Sequence, residues 1–141
     1  MKLNIKKASK KEVDEFNKVA WSGLDIEHYN KHVKWVVKPI LLKITDGKNT
    51  IATIDAKYES GVVYINKLTV AKENRKKGVG RILMEKIEAE AIKLGAHKIF
   101  LITGKNWIAC KLYESLDYKI TANLKNHYLG FDFVIYSKII N

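Results

Sequence analysis

Arg75, Lys76, Lys77, Gly78, Val79, Gly80 and Arg81 set two glycines and four cationic side chains within one short segment. Ahead of them, Leu68, Thr69 and Val70 end a run with the apolar and β-branched character of a strand. After them, Val79, Leu83, Ile87, Ala91 and Leu94 recur at helical spacing. A strand that turns through basic and glycine residues into a helix is equipped to receive a pyrophosphate. The free N–H groups of the helix start can bind the anion, and the positive end of the helix dipole favours it. Gly78 and Gly80 let the backbone approach with no Cβ in the way. Two other phosphate patterns do not fit. The P-loop pattern G-x-x-x-x-G-K-[ST] is missing. Gly78-Val79-Gly80-Arg81-Ile82-Leu83 lacks the third glycine of a dinucleotide fingerprint, and no acidic residue ends the strand that follows. Taken alone, the Gly-x-Gly also suits a tight turn among solvated lysines.

A second run, Asn106-Trp107-Ile108-Ala109-Cys110-Lys111-Leu112-Tyr113-Glu114-Ser115-Leu116-Asp117-Tyr118, carries a different chemistry. A phenol with pKa near ~10, such as that of Tyr113, stays protonated at neutral pH and can donate a proton. The other reading of Tyr113 is a packed tyrosine on a short helix. Asn106 is suited to cap a helix that starts at Trp107. Cys110 reads as a packing residue, since no histidine partner for a nucleophile is evident. His28 and His32 stand four apart on an expected helix, a metal-like spacing without a third ligand, so no metal is expected.

Arg75-x-x-Gly78-x-Gly80 resembles the [RQ]-x-x-G-x-[GA] signature of the GNAT (Gcn5-related) N-acetyltransferase superfamily. The run from Asn106 to Tyr118 resembles that family's second signature, N-x-x-A-x-x-[LF]-Y-x-x-x-G-[FY], with Asp117 where a glycine is usual. The resemblance implies acetyl-coenzyme A as co-substrate and an amine acceptor, with no metal. It implies a cleft where the strand before the signature bulges and splays from its parallel neighbour. There the pantetheine arm would pair with the backbone of Leu68, Thr69 and Val70, and the backbone of Arg75 to Arg81 would wrap the pyrophosphate. Asn106 would contact the coenzyme, and Tyr113 would protonate the leaving thiolate. The general base is not identified: Tyr64 and Asn66 stand where many relatives carry a glutamate, and Glu59 and His127 are unanchored candidates. With no carboxylate on that strand, the expectation leans towards an α-amino group of a peptide or protein, or a small amine, over a polyamine.

The elements that must position these residues can be read from periodicity. Leu3 to Lys6 alternates like a short strand. Ser9-Lys10-Lys11-Glu12 reads as a capping box opening a helix with Val13, Phe16 and Ala20 inward. A second helical stretch is expected from about Asp25 to Trp35. Strands follow at Ile40 to Thr45, Thr50 to Lys57 and Val62 to Val70, the first two joined by Asp46-Gly47. After the helix from Val79 come a strand at Lys98 to Thr103, a short helix at Asn106 to Leu116, and strands at Tyr118 to Ala122 and Phe131 to Ile139. This order predicts one domain over residues 1–141, a mixed α/β (α+β) fold with a central sheet of about seven strands and about four helices. The resemblance adds a splayed central parallel pair.

The bulk properties narrow the function classes. A chain of 141 residues, 47% apolar and 29% charged, has the profile of a globular protein. No apolar run approaches the ~20 residues that span a bilayer, so no membrane partner is expected. The first residues lack a signal-peptide core, and Cys110 is the only cysteine, which points to a reducing, cytoplasmic setting. The net charge of +11 is carried almost wholly by scattered lysines, with Arg75 and Arg81 the only arginines. A solvated surface accounts for that better than a nucleic-acid stripe, and no RRM, KH or helix-turn-helix signature is visible. The alternatives are a basic nucleic-acid-associated binding protein and a non-catalytic acyl-CoA sensor of the same fold. A homodimer stays open.

Overall fold

Strand pairing is set by alternation. In a computed structural model describing residues 1–141, Val37–Asp46 (β1), Asn49–Glu59 (β2) and Val62–Val70 (β3) form an antiparallel meander. Ile40, Ala52, Ile54, Ala56, Val63 and Ile65 are buried on one face, while their sequence neighbours point the other way. The β1–β2 turn uses Gly47 at φ +60 and the β2–β3 turn Gly61 at φ +97. Helix α2, Val79–Lys93, then crosses over to Lys98–Gly104 (β4), which pairs parallel to β3. The crossover helix buries Leu83, Met84, Ile87 and Ala91 on the apolar face of the sheet, and Gly95 ends it at φ +84. Ala109–Ser115 (α3), Lys119–Leu124 (β5) and Phe133–Ile139 (β6) complete the chain, with β6 inserted between β4 and β5.

The sheet has six strands in the order β1-β2-β3-β4-β6-β5, and the chain has three α-helices. Both counts are slightly below the sequence expectation, and the differences lie at the N-terminal end. Met1–Trp35 and Val36–Asn141 form two compact units. In the first, Leu3 to Lys6 forms no strand, although its pattern alternates. The capping box at Ser9 and Glu12 forms as expected and opens α1, Lys10–Tyr29. Instead of two helices there is one, which ends where Asn30 turns left-handed at φ 62. Val13 and Phe16 are exposed rather than inward, and no residue of α1 is buried.

Two irregularities in β3 shape the site. The β2–β3 register shifts between Asp55 and Ala56, so Asn66 is an extra, unpaired residue between Ile65 and Lys67. Pairing of β3 with β4 stops at Ile65 and Leu101, while β4 stays paired with β6 as far as Gly104. Beyond Ile65 the two parallel strands separate, and the side of β3 towards β4 has no strand partner.

Candidate functional site

A cleft of about 950 Å³ opens where β3 and β4 part. Leu68, Thr69 and Val70 form one wall, the turn Arg75–Gly78 and the start of α2 a second, and Trp107 to Tyr113 a third. Of the residues singled out by sequence, Leu68, Thr69, Val70, Arg75, Lys76, Gly78, Val79, Gly80, Arg81 and Tyr113 all line it. Lys77 does not line it. Asn106 stands beside it, in a smaller hollow of about 350 Å³ shared with Lys105, Trp107, Gly130, Phe131 and Asp132.

The start of α2 is shaped for an anion. Lys76 and Gly78 both adopt left-handed backbone, φ 61 and 78, which turns the chain sharply into the helix. Gly78 is the N-cap and supplies no side-chain acceptor. The first intrahelical bond runs from the Ile82 N–H to the Gly78 carbonyl, at 3.2 Å. The N–H groups of Val79, Gly80 and Arg81 are therefore left without an intrahelical acceptor. Two arginines brace this start. The Arg75 Nε donates to the Val70 carbonyl at 3.0 Å, and the Arg81 Nη2 donates to the Ser115 Oγ at 2.6 Å.

A Cβ on Gly80 would lie 3.2 Å from Leu112 Cδ2 and 3.8 Å from side-chain atoms of Leu68 and Val70. The bare glycine thus lets α2 begin close against β3 and α3. Gly104 is more tightly constrained, since a Cβ there would fall 1.9 Å from Trp107 Cε2. The Trp107 indole lies on the bare backbone at the end of β4 and touches the Phe133 ring at a centroid distance of 5.4 Å. Trp107 thereby separates the large cleft from the small hollow. The sequence reading passed over Trp107, although a glycine ending a strand three residues before a tryptophan was the available signal.

Tyr113 is 6% exposed and packs against the rings of Tyr136 and Tyr118. Its hydroxyl makes no hydrogen bond within the protein, and no buried side-chain polar atom is left unsatisfied. The hydroxyl must therefore reach the open space of the cleft. Burial, and then the proximity of Cys110, pushes the phenol up to about 12, so it holds its proton at neutral pH. Beside it, the Tyr136 hydroxyl donates to Glu114 Oε1 at 2.7 Å, and the buried Cys110 Sγ–H donates to the Gly104 carbonyl at 3.4 Å. Cys110 is a packing residue, as its sequence context suggests.

The expectations for Asn106 and for the His28–His32 pair are corrected. Asn106 does not cap a helix beginning at Trp107, because α3 starts at Ala109 with Ile108 as its N-cap and no side-chain bond. Asn106 instead takes up the left-handed turn, φ 64, by which the chain leaves β4. His28 lies on α1, but the helix ends at Tyr29, so His32 is not on the same helix. No group of three or more His, Cys, Asp or Glu side chains is arranged to hold a metal. Glu59 pairs with Lys57 at 3.0 Å, and His127 packs against the rings of Tyr128 and Phe133. Asp117 occupies the left-handed position, φ 69, where the second signature has glycine, a conformation aspartate tolerates better than most residues.

The family model described as "Acetyltransferase (GNAT) family" matches residues 11–118. The chain belongs to the GNAT acetyltransferase family. Solved GNAT structures share its fold at low identity. An acetyltransferase from Bacillus cereus aligns with TM-score 0.79 and 19% identity, over 97% of both chains. The ribosomal-protein-S18-alanine N-acetyltransferase of Escherichia coli aligns with TM-score 0.68 and 17% identity, over 98% of this chain and 94% of its own. An aminoglycoside 6'-N-acetyltransferase complexed with coenzyme A aligns with TM-score 0.67 and 18% identity, over 94% of this chain and 91% of its own. A search of curated proteins finds no match. No helix is long and apolar enough to cross a membrane.

Proposed function

We propose that this GNAT protein transfers the acetyl group of acetyl-CoA to an amine by direct attack of the neutral nitrogen on the thioester. The observation that carries this reading is the composition of the single cleft. An unpaired strand edge, a helix start with free N–H groups and the accessible phenol of Tyr113 all open into it. The residues suit coenzyme A as a substrate. The backbone of Leu68, Thr69 and Val70 offers the pantetheine amides the strand partner that β4 no longer supplies. The N–H groups from Gly78 to Arg81, with Lys76 and Arg75 alongside, receive the pyrophosphate. The family match through both compact units supports treating residues 1–141 as one functional domain.

In the reaction the amine nitrogen adds to the thioester carbonyl, and the tetrahedral intermediate expels the coenzyme A sulfur. A backbone N–H near Leu68 to Val70 polarises the carbonyl oxygen. Tyr113 gives its proton to the departing thiolate, and the nitrogen releases one, so the products are an amide and a thiol. The aminoglycoside 6'-N-acetyltransferase complexed with coenzyme A and the ribosomal-protein-S18-alanine N-acetyltransferase support an acetyl-CoA and amine pairing. The acceptor is an α-amino group of a peptide or protein, a lysine or a small amine.

The test is calorimetric titration with acetyl-CoA, followed by thiol-release assays over a panel of amines. Coenzyme binding with amine-dependent thiol release is the expected result. Binding without release for any amine would replace the transferase with an acyl-CoA sensor. Absence of binding would remove the reading altogether.

A further inference from the structure

We infer that Asp55, held by Asn66 at the point where β3 and β4 separate, is the acceptor-binding carboxylate and selects amines that approach through the opposite face of the sheet. The inference rests on the transferase reading above. The coenzyme cleft is built on the face that carries Ile65, Leu68 and Val70. The gap left where β3 and β4 separate also opens onto the other face of the sheet. There the alternation of β2, β3 and β4 presents Asp55, Tyr64, Asn66 and Phe100.

Three observations on that face converge. The bulge places the extra residue, Asn66, beside Asp55, and the Asn66 Nδ2 donates to Asp55 Oδ2 at 3.2 Å. This fixes the carboxylate and leaves Oδ1 without a protein partner. In a chain of net charge +11, and with Lys67 as its register partner on β3, Asp55 nonetheless forms no ion pair within 4.0 Å, whereas Glu59, four residues on, is paired with Lys57. Finally, the half-buried rings of Tyr64 and Phe100, 4.9 Å apart and tilted at 33°, wall the approach just below the gap.

An oriented carboxylate on the same sheet face as two aromatic rings is the chemistry that recognises an alkylamine. The carboxylate accepts an N–H and the rings favour the cation. The bound ammonium ion first gives one proton to water, and as the neutral nitrogen then forms the N–C bond positive charge grows on it again. Oδ1, which has no protein partner, takes the proton that the nitrogen must then lose and passes it to water. The sulfur receives its own proton from Tyr113 on the opposite face, so in the transfer itself one proton leaves nitrogen and one reaches sulfur.

The probes are n-butylamine and its uncharged counterpart butan-1-ol, titrated into protein with and without coenzyme A. Binding is followed by the NMR signals of the Asn66 side-chain amide. Butylamine is expected to shift these signals saturably, butanol is not, and Asp55→Asn should abolish the response. In turnover, Asp55→Asn should raise KM for butylamine by roughly 10- to 100-fold, the loss expected for one hydrogen bond to a charged group. Asp55→Glu should restore part of the loss, and acetyl-CoA affinity should stay unchanged. Equal amine response in wild type and Asp55→Asn, or none in wild type, would overturn the assignment. The amide titration needs no turnover. A chain that binds butylamine at Asp55 but releases no thiol keeps this site and loses the transferase reading, and the converse result does the reverse.

Discussion

Gly80 and Leu112 stand so close that a Cβ built on the glycine would lie 3.2 Å from Leu112 Cδ2. The contact joins the start of α2 to α3, and both elements line the cleft. Gly80→Ala asks Leu112 to give by a few tenths of an ångström, which a leucine side chain can do. Gly80→Leu cannot be accommodated in the same way. It must push α3 outward or turn into the cleft, and overpacking of this kind costs about 1–3 kcal/mol. Acetyl-CoA affinity should fall at least ~10-fold in Gly80→Leu, an effect of about 1.4 kcal/mol, and far less in Gly80→Ala. Calorimetry on both variants, with thermal unfolding alongside, checks this. Equal affinity in Gly80→Leu and wild type would move the pyrophosphate elsewhere.

The stacking of Trp107 on Gly104 gives a sharper case. With 1.9 Å between a Cβ and the indole, even Gly104→Ala must expel the ring from its seat. Trp107 would then cease to divide the cleft from the neighbouring hollow, and its contact with Phe133 would be lost. Gly104→Ala should destabilise the protein by about 1–3 kcal/mol and weaken coenzyme binding. Trp107→Ala should weaken binding too, but the double variant should be little worse than Trp107→Ala alone, since the clash disappears with the ring. Urea denaturation of the three variants measures this, and simple additivity would show that Gly104 matters for another reason.

The sequence made most of the residues that line the cleft legible because their determinants are local. Gly78 and Gly80 sit inside one turn, and Tyr113 follows in a short helix whose spacing carries the phenol. The acceptor side proposed above is not local. Asp55 and Asn66 are eleven residues apart and meet only through the β2–β3 register and its shift, which no pattern of side chains announces. The N-terminal end shows the opposite failure. Leu3 to Lys6 has the alternation of a strand without forming one, and Asp25 to Tyr29 continues α1 instead of starting a new helix. Gly23 lies inside α1 without breaking it and no proline follows within the helix, so it runs until Asn30 turns left-handed. Asn106 was misread for a related reason: an asparagine after a strand suits both a helix cap and a left-handed turn, and here the turn prevails.

Glu88 ties α2 to the far side of the sheet. It accepts from the Tyr118 hydroxyl at 3.1 Å and from Lys138 Nζ at 3.1 Å through both oxygens, with Lys138 5.5 Å above the Tyr118 ring. The side chains of Glu88 and Lys138 keep only 20% and 23% exposure, so solvent screens the pair incompletely. Glu88→Gln should cost about 1–2 kcal/mol by leaving Lys138 without its counter-charge. Adding Lys138→Met should recover part of that cost, as expected for two groups that act together. Because neither Glu88 nor Lys138 lines the cleft, kcat and KM should change far less than stability does. Full additivity of the two substitutions would show that the pair contributes nothing as a pair.

Tyr113 combines burial with a hydroxyl that has no protein partner, and the two features have separable consequences. Without the hydroxyl, the leaving thiolate loses its proton donor, so Tyr113→Phe should lower kcat by about 10²-fold with coenzyme affinity unchanged. Stability at neutral pH should barely move, since no hydrogen bond within the protein is removed. The burial appears at alkaline pH. An unfolded phenol titrates near ~10, whereas the folded one is pushed up to about 12. Below the unfolded value both states hold the proton, and the protein keeps its full stability. As pH rises towards the folded value, the unfolded chain gives up its proton while the folded chain keeps it, so stability falls. By pH 11 this amounts to about 1 kcal/mol for one such group. Tyr118 and Tyr136 are raised by burial as well and push in the same direction, so the wild type alone cannot isolate Tyr113. The difference between wild type and Tyr113→Phe does isolate it. Urea denaturation at pH 8 and pH 11 should show the variant gaining about 1 kcal/mol on the wild type across that interval. A constant difference would mean that Tyr113 titrates as an ordinary phenol and that its burial does not hold the proton on it.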